Sequence, residues 1–249
     1  LPIWVGLLVL IGTATAHAQA ARRVALLIGN AAYQHERPLK NPVNDAKLLG
    51  RVLQSDLKFD DVRVERNLSV DAMDREIEAF AQRAKGADSV FFYYSGHGQK
   101  SGDRRNFLLP VDARTGADNA PRLDRQAISA EDIRDKLKKA GARVTVVVLD
   151  ACRDGPGGGK SGNKGLARMG GGNGLLVAYA TEEDRVAADG TGANSPYAQA
   201  MATALKRTDL PLLAQWSRTS AQGVRISKPF VASMRVRNRL PSTSAPLLE

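Results

Sequence analysis

The sequence has little cysteine, little histidine and few aromatic residues. Cys152 is the single cysteine among 249 residues, so an intrachain disulfide is excluded. Aromatic residues make up 5% of the chain and the basic residues are scattered. The formal net charge of +10 therefore does not mark a nucleic-acid surface, and we expect no nucleic-acid partner. Hydrophobic residues make up 43%, which suits one globular domain.

The apolar run from Leu1 to Ile11 is short for a membrane span. Small residues follow it in the A-x-A patterns of AHAQA, which predicts a secretory signal peptide over residues 1–20. An uncleaved membrane anchor is the alternative. We expect a secreted or periplasmic protein without membrane contact after the signal is removed. A lone cysteine kept in an oxidising compartment indicates burial or a function.

Apolar runs and helix-start signals alternate from Arg22 onward. Strands are predicted over Val24 to Ile28, Val62 to Val64, Val90 to Tyr94, Val144 to Leu149 and Leu175 to Ala180. Helices are predicted behind the N-caps Asn41, Ser69, Ser129 and Ser195, with Pro42 and Pro196 at two first helical positions. This βα order predicts an α/β fold with a mainly parallel sheet between helices.

Two predicted strands run into polar residues at their carboxyl ends, where the sites of such folds lie. VFFYY continues into SGHG, and VTVVVL continues into DAC. If these strands are neighbours, His97 and Cys152 meet at one edge of the sheet. An imidazole favours the thiolate and can protonate an amine leaving group, and the backbone N–H groups of Gly98 and Cys152 are oxyanion-hole candidates. The alternative is a structural cysteine near a core histidine.

The stretch GPGGGKSG after Cys152 raises a different hypothesis, a phosphate-binding loop. Gly159, Lys160 and Ser161 match the end of that motif, but Asp154 stands where its first glycine belongs. The glycines that follow do not sustain the helix that would hold a phosphate, since each costs about 1 kcal/mol relative to alanine. We therefore interpret the match to an ATP-binding loop as chance.

The motifs YYSGHG and DACRD, in this order, resemble those of caspase-type cysteine peptidases, and are most similar to the bacterial metacaspase-like branch, the orthocaspases. ALLIGNAAY, NPVNDA, NFLLPVDA, GLLVAYAT and GANSPYAQAMATAL extend the resemblance over residues 22–206. It implies a caspase-hemoglobinase fold with about six sheet strands and helices on both faces, and a His97/Cys152 dyad that hydrolyses peptide bonds. Residues 207–249 are left as an extension, with one more strand in KPFVASMRV and a disordered basic tail.

The resemblance also implies an acidic pocket that selects Arg or Lys before the scissile bond. Asp45, Ser95 and Asp150 match its residues, and a buried carboxylate pair suits a guanidinium because it accepts bidentate hydrogen bonds. The alternatives are that Asp45 favours the start of its own helix and that Asp150 orients a loop.

No cofactor is required for the chemistry, but the resemblance implies calcium as an activator. Asp112 matches one family ligand, and Glu131 and Asp132 lie near the positions of others. Past the cysteine, where a further acidic ligand is expected, the chain has mostly Gly and Lys, and Arg153-Asp154 stands where many metacaspases carry His-Ser.

Three basic residues of the glycine-rich segment, Lys160, Lys164 and Arg168, are candidates for self-cleavage or, alternatively, solvated linker residues. Together these observations predict a monomeric, secreted cysteine endopeptidase that acts on peptide or protein substrates after Arg or Lys. The alternative is a caspase-fold binding or regulatory module without turnover.

Overall fold

The computed structural model describes residues 21–101, 103–115, 123–152, 166–167, 169–171, 174–180 and 192–207, with Cys152 described through its backbone alone. The predicted signal peptide, the three self-cleavage candidates and residues 208–249 lie outside the described residues. Within these ranges, no helix has the length and apolar character needed to cross a membrane.

The described chain forms strands and helices in alternation, as the sequence predicts. The strands are β1 (Arg23–Gly29), β2 (Asp61–Arg66), β3 (Ser89–Lys100), β4 (Asn106–Leu108), β5 (Ile128–Ser129), β6 (Val144–Cys152) and β7 (Leu175–Tyr179). The helices are α1 (Pro42–Arg51), α2 (Val70–Ala84), α3 (Leu123–Gln126), α4 (Ala130–Lys139) and α5 (Pro196–Leu205), and α1 continues into a π-helical turn over Val52–Asp56.

The central sheet is mainly parallel, which confirms the predicted fold class. Its parallel part has the order β2-β1-β3-β6-β7. Side chains alternate between the two faces of this sheet. One face packs against apolar residues of α2 and α4, and the opposite face packs against those of α1 and α5. Both faces are therefore covered, which accounts for the continuously apolar runs in β1, β3, β6 and β7, whereas β2 at the sheet edge reads DVRVER and is partly exposed.

Strands β3 and β6 are longer than predicted, and an antiparallel arm leaves the sheet beside them. The predicted strands stop at Tyr94 and Leu149, but the observed ones continue to Lys100 and Cys152. The last residues of β3 pair with β4, and β4 pairs with β5, both antiparallel. β4 and β5 have three and two residues, so neither is long enough to show a sequence periodicity.

Three of the four predicted N-caps are confirmed. The hydroxyls of Ser69, Ser129 and Ser195 accept backbone N–H groups of Ala72, Asp132 and Ala198 at 3.4, 3.1 and 3.1 Å. The cap predicted at Asn41 is wrong, because its side chain makes no cap hydrogen bond and its backbone is already helical at φ −100° and ψ −23°. Pro42 still begins α1, since its fixed φ suits a first helical position.

Gly29, the last residue of β1, allows a close approach between β1 and α1. A Cβ there would lie 2.4 Å from the backbone oxygen of Pro42 and 2.8 Å from Cα of Val43. Since these are backbone atoms, we expect Gly29→Ala to lower the free energy of unfolding by about 2 kcal/mol or more. Urea denaturation measures the change, with Gly170→Ala as the control because a Cβ there meets nothing within 4 Å. Equal effects of the two substitutions would contradict the account.

Candidate active site

The two residues of the predicted dyad lie opposite each other on neighbouring strands. The β3–β6 register pairs Ser95 with Asp150 and His97 with Cys152. Adjacent strands are about 4.8 Å apart, so the His97 and Cys152 backbones are direct neighbours. Both stand at the carboxyl ends of parallel strands. The sequence predicted this meeting, which depends on β3 and β6 being adjacent.

The imidazole of His97 is buried, with 6% of the residue exposed, and is held at Nε2. Nε2 lies 2.8 Å from the backbone carbonyl oxygen of Arg37. A carbonyl oxygen only accepts, so Nε2 is the protonated nitrogen, and in the neutral imidazole Nδ1 carries the lone pair. His97 is thus in the tautomer whose Nδ1 can act as a base.

Two buried tyrosines surround the backbone of His97. The His97 N–H donates to the hydroxyl of Tyr33 at 2.7 Å, and the Tyr94 hydroxyl donates to the His97 carbonyl oxygen at 2.8 Å. The Tyr33 ring also packs against the imidazole, with ring centroids 4.4 Å apart. A Cβ at Gly96 would lie 2.6 Å from both hydroxyls, so glycine is required before the histidine.

Gly98, an oxyanion-hole candidate together with Cys152, follows His97 where β3 passes from β6 to the antiparallel arm. It stands opposite Leu108 in the register. A Cβ there would lie 2.9 Å from Cβ of Ala151 and 3.2 Å from Cδ2 of Leu166. The residue is therefore a glycine for packing reasons at least, and its part in an oxyanion hole, with the Cys152 N–H, stays a prediction.

The predicted pocket residues lie next to one another. Asp45 and Asp150 are 1% and 5% exposed, and Ser95 is buried beside Asp150 in the register. The Asp45 carboxylate accepts the side-chain amide of Asn194 at 2.8 Å and the backbone N–H of Ser195 at 2.9 Å. The Ser195 hydroxyl donates to Asp150 at 3.2 Å. One residue, Ser195, thus connects the two carboxylates.

Neutral hydroxyls accompany these carboxylates. The Tyr93 hydroxyl donates to Asp150 at 2.9 Å. Burial, and after it the charges of Asp150 and Asp45, raise the pKa of Tyr93 well above its ordinary value of 10.0. Burial and the charge of Asp150 raise the pKa of Tyr197 in the same way. Both tyrosines therefore stay protonated, and the net charge of the group comes from its aspartates.

The alternatives for the two aspartates receive partial support. Asp45 lies in the first turn of α1, but both of its donors named above precede α5. Asp150 likewise binds Ser195, in the segment before α5. Both carboxylates therefore hold the start of α5 as well as lying in the predicted pocket, and their part in substrate binding stays a prediction.

Two of the three predicted calcium ligands, Asp112 and Glu131, have hydrogen-bond partners for their carboxylates. The Asp112 carboxylate accepts the Val70 N–H, at the start of α2, at 2.9 Å. The Glu131 carboxylate accepts the backbone and side-chain amides of Asn106. For Asp132 the contact is made by its backbone, whose N–H donates to the Ser129 hydroxyl. In the part of the chain that the structure describes, no three acidic, His or Cys residues form a metal cluster. Calcium binding by these residues and activation by calcium stay predictions.

Three contributors to the site have no signal of this role in the local sequence pattern, and a fourth, Ser195, is signalled only in a different role. The Arg37 carbonyl is a backbone group of a loop, and the Tyr33 and Tyr93 hydroxyls belong to residues whose sequence pattern indicates only a strand or a loop. Ser195 is visible as a helix cap, but its contact with Asp45 spans 150 positions.

Because Ser195 both caps α5 and binds the Asp150 carboxylate, its substitution should lower the free energy of unfolding by more than the loss of a cap alone. Ser195→Ala removes the α5 cap and a hydrogen bond to a carboxylate, so we expect a loss of about 2 kcal/mol or more in the free energy of unfolding. Ser69→Ala is the matched control, because Ser69 caps α2 without a buried charge partner, and its expected loss is about 1 kcal/mol. Denaturant unfolding of both variants measures the difference. Equal losses would show that the bond to Asp150 adds nothing.

Comparison with known proteins agrees with this architecture. The sequence model of the caspase domain matches residues 22–228. The crystal structure of the Drosophila initiator caspase Dronc is similar at 16% identity, with a TM-score of 0.57 and coverage of 80% of this chain and 72% of that chain. The crystal structure of caspase-1 from Spodoptera frugiperda is similar at 16% identity, with a TM-score of 0.57 and coverage of 81% and 76%.

A comparison with curated proteins finds no match. At 16% identity the two solved structures show the fold alone, which is the caspase fold. The family model is more informative, because its match to residues 22–228 spans most of the chain and includes both β3 and β6. The chain belongs to the caspase-domain family of cysteine peptidases.

Proposed function

We propose that the protein is a metacaspase-type endopeptidase that hydrolyses peptide bonds after Arg or Lys, with Cys152 as nucleophile and His97 as general base. The observation that carries the proposal is the register that sets His97 opposite Cys152 at the carboxyl ends of β3 and β6. The buried Asp45 and Asp150 lie at the same end of the sheet and supply the negative charge that a basic side chain needs.

The chemistry proceeds in two halves. Nδ1 of His97 takes the proton of the Cys152 thiol, and the thiolate attacks the scissile carbonyl carbon. The N–H groups of Gly98 and Cys152 stabilise the oxyanion. The C–N bond then breaks, and the amine leaves with the proton from His97. In the second half, water loses a proton to His97, attacks the thioester carbonyl and releases the acid together with the regenerated thiol.

Substrate selection follows from the charge of the pocket. A guanidinium donates in parallel pairs, which suits carboxylates that hydroxyls and amides already orient. The buried hydroxyl of Tyr197, close enough to Asp150 for its pKa to respond to that charge, has no hydrogen-bond partner within the described residues and can accept from such a cation. An acidic side chain would be repelled, because two like charges would be buried together.

Export and self-processing are parts of the same proposal. A leader over residues 1–20 would direct the enzyme out of the cytoplasm. There it would act as a monomer on peptides or proteins. An enzyme that cleaves after Arg or Lys would also cleave its own chain after Lys160, Lys164 or Arg168. Mass spectrometry of the purified protein tests this, since an intact chain that cleaves peptides would exclude required processing.

Fluorogenic peptides ending in Arg, Lys or Asp test the proposed function, each assayed with calcium and with a chelator. We expect release of the fluorophore after Arg and Lys and none after Asp. Cleavage after Asp would keep the peptidase and exclude the acidic pocket. Failure on all three peptides under both conditions would favour the binding module.

A further inference from the structure

We propose that Tyr33 is a positioning residue for His97, which aligns the imidazole through its hydroxyl and its ring. The inference rests on the proposed function, in which His97 is the general base. It extends that function to a residue of the loop between β1 and α1.

Tyr33 contacts His97 at two separate points. Its hydroxyl accepts the His97 N–H at 2.7 Å, which fixes the backbone from which the side chain projects. Its ring lies against the imidazole with a centroid distance of 4.4 Å and an interplanar angle of 50°. A side chain held at its backbone and on its ring face loses much of its rotational freedom.

The same loop completes the support of the imidazole. Arg37, four positions after Tyr33, supplies the carbonyl oxygen at 2.8 Å from Nε2. The loop therefore contacts the backbone, one ring face and one ring nitrogen of His97. The nitrogen that none of these contacts uses is Nδ1, the proposed base.

The Tyr33 hydroxyl is itself held in a buried network. It lies 3.2 Å from the Leu109 carbonyl oxygen and 3.2 Å from the Tyr94 hydroxyl. Tyr94 lies 2.8 Å from that same Leu109 oxygen, and Asn30 donates to it at 3.2 Å. Tyr33 is 6% exposed, so water does not replace a lost partner readily. Displacing its hydroxyl would disturb several hydrogen bonds at once.

The architecture also explains why the neighbouring residue is glycine. A Cβ on Gly96 would collide with the Tyr33 and Tyr94 hydroxyls at 2.6 Å. The strand before His97 is thus packed closely against the two hydroxyls, which leaves Tyr33 no room to move away from His97 on that side.

Tyr33→Phe tests the inference, because it keeps the ring and removes the acceptor of the His97 N–H. We expect kcat for an Arg-ending peptide to fall about 10-fold with KM unchanged, since misplacing a catalytic group affects the chemical step and not substrate binding. Alkylation of Cys152 by iodoacetamide should slow in parallel, because the thiolate depends on the imidazole. Tyr33→Leu, which also removes the ring, should lose more.

Tyr179→Phe is the matched control. The hydroxyl of this buried β7 tyrosine accepts the Met169 N–H at 2.9 Å. Removing that hydroxyl should leave kcat unchanged. If Tyr33→Phe does not fold, Tyr33→His takes its place, because it keeps an aromatic ring at this position but removes the phenol hydroxyl that accepts the His97 N–H.

The outcomes separate the inference from the proposed function. The inference alone is overturned if His97→Ala abolishes the wild-type activity while kcat is unchanged in Tyr33→Phe. Where Tyr33→Phe does not fold, an unchanged kcat in Tyr33→His would do the same. Full activity in His97→Ala, or no activity in the wild type, would overturn both. A lower kcat at unchanged KM in the tyrosine variant supports both.

Discussion

Cys152→Ala is expected to abolish peptidase activity, lowering kcat/KM for an Arg-ending peptide by more than about 10³-fold. Alanine supplies no nucleophile, and no other thiol in the chain can replace it because Cys152 is the single cysteine. The substitution is small, so the thermal unfolding temperature should stay close to that of the wild type. Steady-state hydrolysis at matched protein concentration measures the effect.

The control for this prediction compares the two single variants of the dyad, Cys152→Ala and His97→Ala, with the double variant. His97→Ala should lose a similar factor, and the double variant should lose no more than either single one, because residues that act as a unit are not additive. Activity that survives in Cys152→Ala would come from another nucleophile or a contaminant. Survival at the wild-type level would contradict the dyad.

Asp150→Asn is expected to lower kcat/KM for an Arg-ending peptide by about 100-fold. Asparagine keeps the shape of the side chain and one oxygen to accept from Tyr93 and Ser195, but it removes the charge that the guanidinium would pair with. Asp45→Asn should act in the same direction, since it also leaves an acceptor for Asn194 and Ser195. Hydrolysis assays under substrate-limited conditions give kcat/KM directly.

A neutral isostere separates loss of charge recognition from general damage. Wild-type enzyme should prefer an Arg-ending peptide over the same peptide ending in citrulline, and Asp150→Asn should lose most of that preference. Asp74→Asn, an exposed position on α2, should leave it unchanged. An equal loss on both peptides would mean that Asp150 holds the start of α5 and does not bind substrate.

Much of the parallel sheet follows from local patterns. Apolar runs of five or six residues between capped helices are consistent with buried parallel strands, and the caps at Ser69, Ser129 and Ser195 lie where the sequence places them. The antiparallel arm could not be predicted in this way, because β4 and β5 are stabilised by pairing with β3 and with each other. The cap predicted at Asn41 is wrong for a similar reason. Asn41 is fully buried, so the packing around it, and not the local helix-start pattern, decides its role.

In the candidate site, too, some features follow from local sequence patterns and others depend on long-range contacts. The neighbourhood of His97 and Cys152 follows from strand ends and could be predicted. The contacts that orient the site come from distant segments: Tyr33 reaches His97 from the loop after β1, and Ser195 reaches Asp45 and Asp150 from the start of α5. A sequence pattern reports local periodicity, so such long-range hydrogen bonds leave no trace in it.

An activated Cys152 beside a pocket for basic side chains should react selectively with a peptidyl chloromethyl ketone ending in Arg. Peptide mapping with mass spectrometry after the incubation locates the adduct. We expect one adduct per chain, on Cys152, that forms faster than with the Asp-ending reagent and slows strongly in His97→Ala. Labelling of Cys152 at equal rates by both reagents, unchanged in His97→Ala, would contradict this expectation.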